Sequence, residues 1–111
     1  MQSEITKLHM LENLRAFIDV HVVGDTTIIP SVPGTKIRIY KVVLTAGGAA
    51  VITLKEGMRE NSGGLRVATN GNVVLMFDSE LPLALPEGQP LVLNLNAAIR
   101  VTGFVEYTQA E

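Results

Sequence analysis

The chain has 111 residues, 47% of them hydrophobic and 18% charged, and a net charge of −2. That length fits one domain with a single core, and a balance with no basic excess argues against electrostatic binding to nucleic acid. Cysteine is absent, which removes disulfides, thiol nucleophiles and thiolate metal sites together and agrees with a reducing cytoplasm.

The charged fraction lies below the roughly 25% of an average soluble domain. A small protein with so little charge leaves apolar surface uncovered unless it packs against copies or partners. Self-association is therefore expected. No apolar run approaches the ~18 to 20 residues of a bilayer-spanning helix. The N-terminal sequence lacks the charged leader and apolar stretch of a secretory signal. Neither membrane insertion nor export is expected.

Residues 1–14 carry Ile5, Leu8, Leu11 and Leu14 at every third position, with Glu4, Lys7, Glu12 and Asn13 between them. Ser3 is a candidate N-cap. The spacing suits a short amphipathic helix. Isolated helices this short are marginal in water, so an extended arm fits equally well. Residues 1–14 are read as an arm, and residues 15–111 as the folded domain.

From Arg15 the period changes to two. Ile18, Val20 and Val22 alternate with Phe17, Asp19 and His21, the pattern of a half-buried strand. Gly24-Asp25 offers a turn, and Thr26 to Ile29 reads as a β-branched strand. Pro30 and Pro33-Gly34 break the ladder. Lys36 to Thr45 is the clearest strand, with Ile37 and Ile39 on one face and Arg38 and Tyr40 on the other. At Val42, Val43 and Leu44 both faces become apolar. Ala46-Gly47-Gly48 is a turn, and Ala50 to Leu54 resumes as a strand.

Lys55 to Gly64 is charged and glycine-rich and reads as an exposed loop. Leu65 to Thr69 and Val73 to Phe77 flank Asn70-Gly71-Asn72. Asn-Gly tolerates positive φ, which predicts a hairpin there. Asp78 to Pro90 holds three prolines and reads as a long irregular connection. Leu91 to Leu95 is a strand, Asn96-Ala97-Ala98 a turn, and Ile99 to Tyr107 a closing strand. Val73, Leu75 and Phe77 are expected on one inward face, and Leu91, Leu93 and Leu95 on another. About eight short strands with turns every ~8 to 12 residues predict an all-β chain, an antiparallel sandwich of jelly-roll type. The connections are too short for the crossovers of a parallel sheet.

Candidate chemistry is sparse. His9 and His21 are the only histidines. They lie in different elements, without the i,i+4 partner of a helical zinc pair. Ser3, Ser31, Ser62 and Ser79 sit in the arm or in loops, and none lies in a nucleophile-elbow motif. Asp78-Ser-Glu80 lacks the spaced oxygen ligands and turn glycine of a calcium loop. Asn61-Ser-Gly-Gly64 is neither GxGxxG nor a P-loop, and no helix follows it to hold phosphate. Sugar-binding sandwiches stack exposed aromatics on their ligand. Here tryptophan is absent, and Phe17, Phe77, Phe104, Tyr40 and Tyr107 suit core or subunit contact better. No catalytic residue, metal or cofactor is expected.

Two segments carry a family resemblance. One is Ile-Pro-Ser-Val-Pro-Gly-Thr-Lys-Ile-Arg-Ile over 29–39. The other is Gly-Gln-Pro-Leu-Val-Leu-Asn-Leu-Asn-Ala-Ala-Ile-Arg-Val-Thr-Gly-Phe-Val-Glu-Tyr over 88–107. Both resemble small bacteriophage structural proteins. In that group a Pro-Gly turn launches a Lys-Ile-Arg-Val type strand and a small-residue hairpin follows. The chain then closes with Leu-Asn-Leu-Asn, two alanines and a last strand with Gly and Tyr. The likeness spans about 29–107. It departs in the charged segment Lys55 to Gly64 and in the arm, which has no counterpart. No site residue carries over.

The resemblance implies a non-enzymatic β-sandwich of the virion. Such proteins include head-decoration, head-fibre and tail-associated types, often in symmetric oligomers, with a homotrimer the favoured state. The expected partners are copies of itself and the major capsid protein or another virion protein, with no nucleic acid and no membrane. The expected location is the virion, after assembly in the host cytoplasm. The alternative is a tail or baseplate receptor-binding module that takes carbohydrate. Within either, Ile5, Leu8, Leu11 and Leu14 are the expected partner-binding residues. Four large aliphatics on an exposed tail need a partner to cover them.

Overall fold

The computed structural model describes residues 14–111. Alternating segments form ten strands: β1 (Leu14–Val20), β2 (Gly24–Ile29), β3 (Lys36–Ala46), β4 (Ala50–Glu56), β5 (Arg59–Glu60), β6 (Leu65–Val67), β7 (Asn72–Met76), β8 (Leu83–Ala84), β9 (Leu91–Leu95) and β10 (Val101–Ala110). No helix occurs among the described residues. Ile5, Leu8 and Leu11 lie outside the described residues, as do Ser3 and His9. Leu14 lies inside them. It opens β1 opposite Tyr107 and is 49% exposed.

The strands make two antiparallel five-stranded sheets. Sheet A runs β1-β10-β3-β7, with β8 on the free stretch of β3; sheet B runs β2-β9-β4, with β5 and β6 sharing the far edge of β4. Setting aside the two-residue strands β5 and β8, the pairing nests. β1 pairs β10, β2 pairs β9, β3 pairs β7 and β4 pairs β6. An antiparallel ribbon folded on itself in that way is a jelly roll.

Inward side chains from both sheets form one core. Ile37, Ile39, Val42 and Leu44 of β3 and Val101 and Val105 of β10 pack with Ile52 and Leu54 of β4 and Leu91, Leu93 and Leu95 of β9. Val73, Leu75 and Phe77 lie partly buried against them, as their alternation requires. Each fully buried aliphatic side chain contributes about 1.5–3 kcal/mol before ordering costs.

The double-apolar stretch Val42-Val43-Leu44 has a physical explanation in the ladder. Glu106 pairs Lys41, but Tyr107 pairs Ile39, so Tyr40 is skipped. This bulge shifts β3 by one residue. Ile37 and Ile39 point inward before it, and Val42, Leu44 and Ala46 after it. Val43 is left on the outer face. The carbonyl of Tyr40 accepts the Phe77 N–H at 2.9 Å on the opposite side. There β3 changes neighbour from β7 to β8.

Two expectations need correction. Lys55 to Gly64 is not a loop throughout. β4 continues to Glu56 and turns at Gly57-Met58 into β5, with Lys55 opposite Glu60 and Glu56 opposite Arg59. The Leu54 carbonyl accepts from the Asn61 and Ser62 N–H groups at 2.9 and 3.1 Å, and Glu56 accepts from Asn61 Nδ2 at 3.0 Å, which tie the polar hairpin back to β4. Gly57 supplies the positive φ (67°) that the first turn position demands. Nor is Asn70-Gly71 the tip of a hairpin. Asn70 does adopt positive φ (60°), but its arms pair in different sheets, β6 on β4 and β7 on β3. The turn carries the chain across the sandwich. Its N–H donates to the Ala46 carbonyl at 2.8 Å, and the Gly71 carbonyl accepts from Ala46 N–H at 3.0 Å.

β10 is central, paired on one side with β1 and on the other with β3. At Gly103 the neighbouring backbone comes close. A Cβ there would sit 1.8 Å from the Val43 carbonyl oxygen, at a φ of +153°. Only glycine fits. Gly103→Ala is expected to lower stability by at least about 2 kcal/mol in denaturant unfolding. Gly63→Ala, with open space around its Cβ, is expected to change it by under about 0.5 kcal/mol. Equal effects would contradict the close approach.

Candidate interaction face

The two outer faces of the sandwich differ in chemistry. On sheet B, Asp25, Asn94 and Thr53 lie level across β2, β9 and β4. The Asp25 carboxylate accepts from Lys55 Nζ at 2.8 Å and from Asn94 Nδ2 at 2.7 Å. Polar groups on this face satisfy one another.

Sheet A is different. Its register puts Phe17, Phe104, Val43 and Val74 opposite one another in turn, a level apolar row across β1, β10, β3 and β7. Phe17 is 80% exposed and Val74 55%. On one side of the row lie Arg15, Glu106, Lys41 and Met76, the last 72% exposed. On the other lie Asp19, Thr102, Thr45 and Asn72. Alternation along each strand creates the row, because the residues between these point into the core.

Charges frame the row and fix its shape. Arg15 donates to the Glu106 carboxylate at 2.7 Å, and its guanidinium lies 4.4 Å from the Phe104 ring centroid. Lys41 Nζ approaches the same ring at 5.9 Å. Both cations are drawn to the ring by its quadrupole and frame Phe104. Arg100 meets Asp19 through both Nε and Nη2, at 3.0 and 2.9 Å. Thr45 Oγ1 donates to Asn72 Oδ1 at 2.9 Å.

The residues considered for chemistry do not converge. His21 is exposed, just beyond β1. Ser62 Oγ accepts from the Leu54 N–H at 3.0 Å and donates to the Gly63 carbonyl at 2.8 Å, tying the β5–β6 connection to β4. Asp78 Oδ1 accepts from the Glu80 N–H at 2.9 Å, a local turn. Among the described residues no three His, Asp or Glu side chains stand together as a metal site would need. A shallow cleft of about 550 Å³ lies between the β4–β5 hairpin and the 86–89 loop, lined by Glu56, Met58, Arg59, Pro86 and Gln89. The apolar row was missed in the sequence because it depends on register across four strands, which no single segment reveals. Phe17 in a polar phase was its one visible signal.

No protein-family model and no curated protein matches this chain.

Two carboxylates carry a pH dependence. Hydrogen bonds from Lys55 and then Asn94 hold Asp25 below the ordinary carboxylate value. The Arg100 hydrogen bonds do the same for Asp19. A carboxylate depressed in the folded state stabilises the fold above its unfolded pKa of about 4, and that contribution disappears as pH falls through the lower folded value. Melting temperature is therefore expected to fall on acidification below about pH 4, with a shallower fall in Asp25→Asn. An equally steep fall in that variant would place the acid sensitivity in other groups.

Proposed function

We propose that this chain is a non-enzymatic structural protein of a bacteriophage virion, which self-associates and attaches to the capsid or another virion surface. The observation that carries the reading is the contrast between the two outer faces. One sheet satisfies its own polar groups, and the other offers solvent an apolar row framed by paired charges. Exposed apolar surface of that kind, rimmed by polar groups, marks an interaction site. The likeness of segments 29–39 and 88–107 to small virion proteins supplies the setting.

Attachment to the particle is assigned to the segment before β1. Ile5, Leu8 and Leu11 each offer about 1.5–3 kcal/mol on burial, less the cost of ordering the segment. One segment binds modestly. Several on one oligomer engage together and bind strongly. Leu14, at the start of β1 and 49% exposed, extends the same apolar series and is assigned to the attachment surface with Ile5, Leu8 and Leu11.

Antibody labelling of purified virions, viewed in negative stain, tests the setting. Label on heads is expected, label confined to the tail tip would support receptor binding, and particles without label would contradict a virion role. Deletion of residues 2–13 tests the segment. The shortened protein is expected to keep its fold and oligomeric state and to bind particles at least about tenfold more weakly. Unchanged binding would contradict the assignment.

A further inference from the structure

We infer that the outer face of sheet A packs against the same face of a second copy about a two-fold axis parallel to the strands. This rests on the proposed self-association and names its surface and geometry. The face carries a pattern that complements itself better under that operation than under the in-plane two-fold perpendicular to the strands.

A two-fold axis lying between the sheets and along the strands keeps each residue at its level and reverses the strand order. The apolar row Phe17, Phe104, Val43, Val74 then meets its own reverse. Phe17 stands over the partner's Val74, and Phe104 over the partner's Val43. Each large ring meets a small side chain, so the gap between the sheets is filled evenly. One level along, Glu106 faces the partner's Lys41 and Lys41 faces the partner's Glu106. Arg15 lies over the partner's Met76, a cation with a long methylene stem on a flexible apolar chain. On the other side Asp19 meets the partner's Asn72, whose amide can donate to it, and Thr102 meets the partner's Thr45.

The other in-plane axis, perpendicular to the strands, fits worse. It stacks Phe17 on the partner's Phe17 and Val74 on the partner's Val74, crowding one end of the row and leaving the other open. It brings Arg15 to the partner's Asp19, but sets Glu106 and Lys41 against threonines. Isologous contact of the first kind closes at two subunits. The structure therefore favours a dimer over the trimer that the family resemblance implies. Sheet B presents no such apolar row: Thr53 and Val92 on its outer face are buried, and Asp25 is held by Lys55 and Asn94 at 2.8 and 2.7 Å.

The face spans four strands about 4.8 Å apart and three side-chain levels about 6.8 Å apart. That patch, roughly 400 Å² per copy, is smaller than the ~1,200 Å² total of a standard specific interface, so the dimer is expected to be weak and to dissociate on dilution.

The lack of cysteine makes a clean test available in the full-length protein. Sedimentation velocity from about 5 to 500 µM is expected to show a mass of twice 11.9 kDa that falls on dilution. Val74→Glu is expected to weaken association at least tenfold with the circular dichroism spectrum and melting temperature kept. Phe17 and Val74 lie three strand spacings apart in one chain, about 14 Å, beyond the reach of a short bis-maleimide. A variant with both Phe17→Cys and Val74→Cys should be linked into covalent dimers by that reagent, and either substitution alone should not. A monomer at every concentration would overturn the interface and the self-association reading with it. A three-chain mass, or association untouched by Val74→Glu, would overturn the interface while leaving self-association in place. Linkage of Phe17→Cys alone would overturn the axis.

Discussion

The sandwich depends on one change of phase in β3. Without the extra residue at Tyr40, a strand of eleven residues that buries Ile37 and Ile39 would turn Val42 and Leu44 out to water. Burying those two is favourable by several kcal/mol, far more than the hydrogen bond lost at a bulge. The consequence on the other side is equally strict. Val43 is forced outward, directly between Phe104 and Val74. The same bulge that completes the core also completes the exposed row.

Gly103 works with that bulge. β10 reaches from one end of sheet A to the other and must approach β3 closely enough for the two to stay paired past the irregularity. The absence of a side chain at Gly103 permits the contact with the Val43 carbonyl. Ile18 and Leu44, its neighbours on either side in the ladder, fill the core below. Core packing, backbone approach and the composition of the outer face are therefore coupled through a few positions in two strands. A low content of charge, read from composition, acquires a location: it is the middle of sheet A.

The strands with clean alternation were legible from residues alone, because inward positions such as Leu91, Leu93 and Leu95 leave a period of two. So was the jelly-roll class, because turn chemistry recurs at short intervals. Three things were not. Val42-Val43-Leu44 looked like a strand buried on both faces, since a bulge removes one residue from the count without leaving a mark in composition. Asn70-Gly71 supplied the right local conformation but could not say that its two arms belong to different sheets. The β4–β5 hairpin is built from charged residues without an apolar alternation, so Lys55 to Glu60 resembled a loop. The apolar row required the registers of β1, β10, β3 and β7 at once. Only Phe17, an aromatic among Arg15 and Asp19, hinted at it.

The central claim is that the outer face of sheet A is covered when copies meet, and that the rest of the surface is not. Two methionines report on it. Met76 lies on that face at 72% exposure, and Met58 lies at the β4–β5 turn at 88%. Peroxide oxidation of each, followed by mass spectrometry as protein concentration rises, compares them within one molecule. Met76 is expected to become progressively protected while Met58 oxidises at a constant rate. Two rates that stay in fixed proportion at every concentration would contradict the claim.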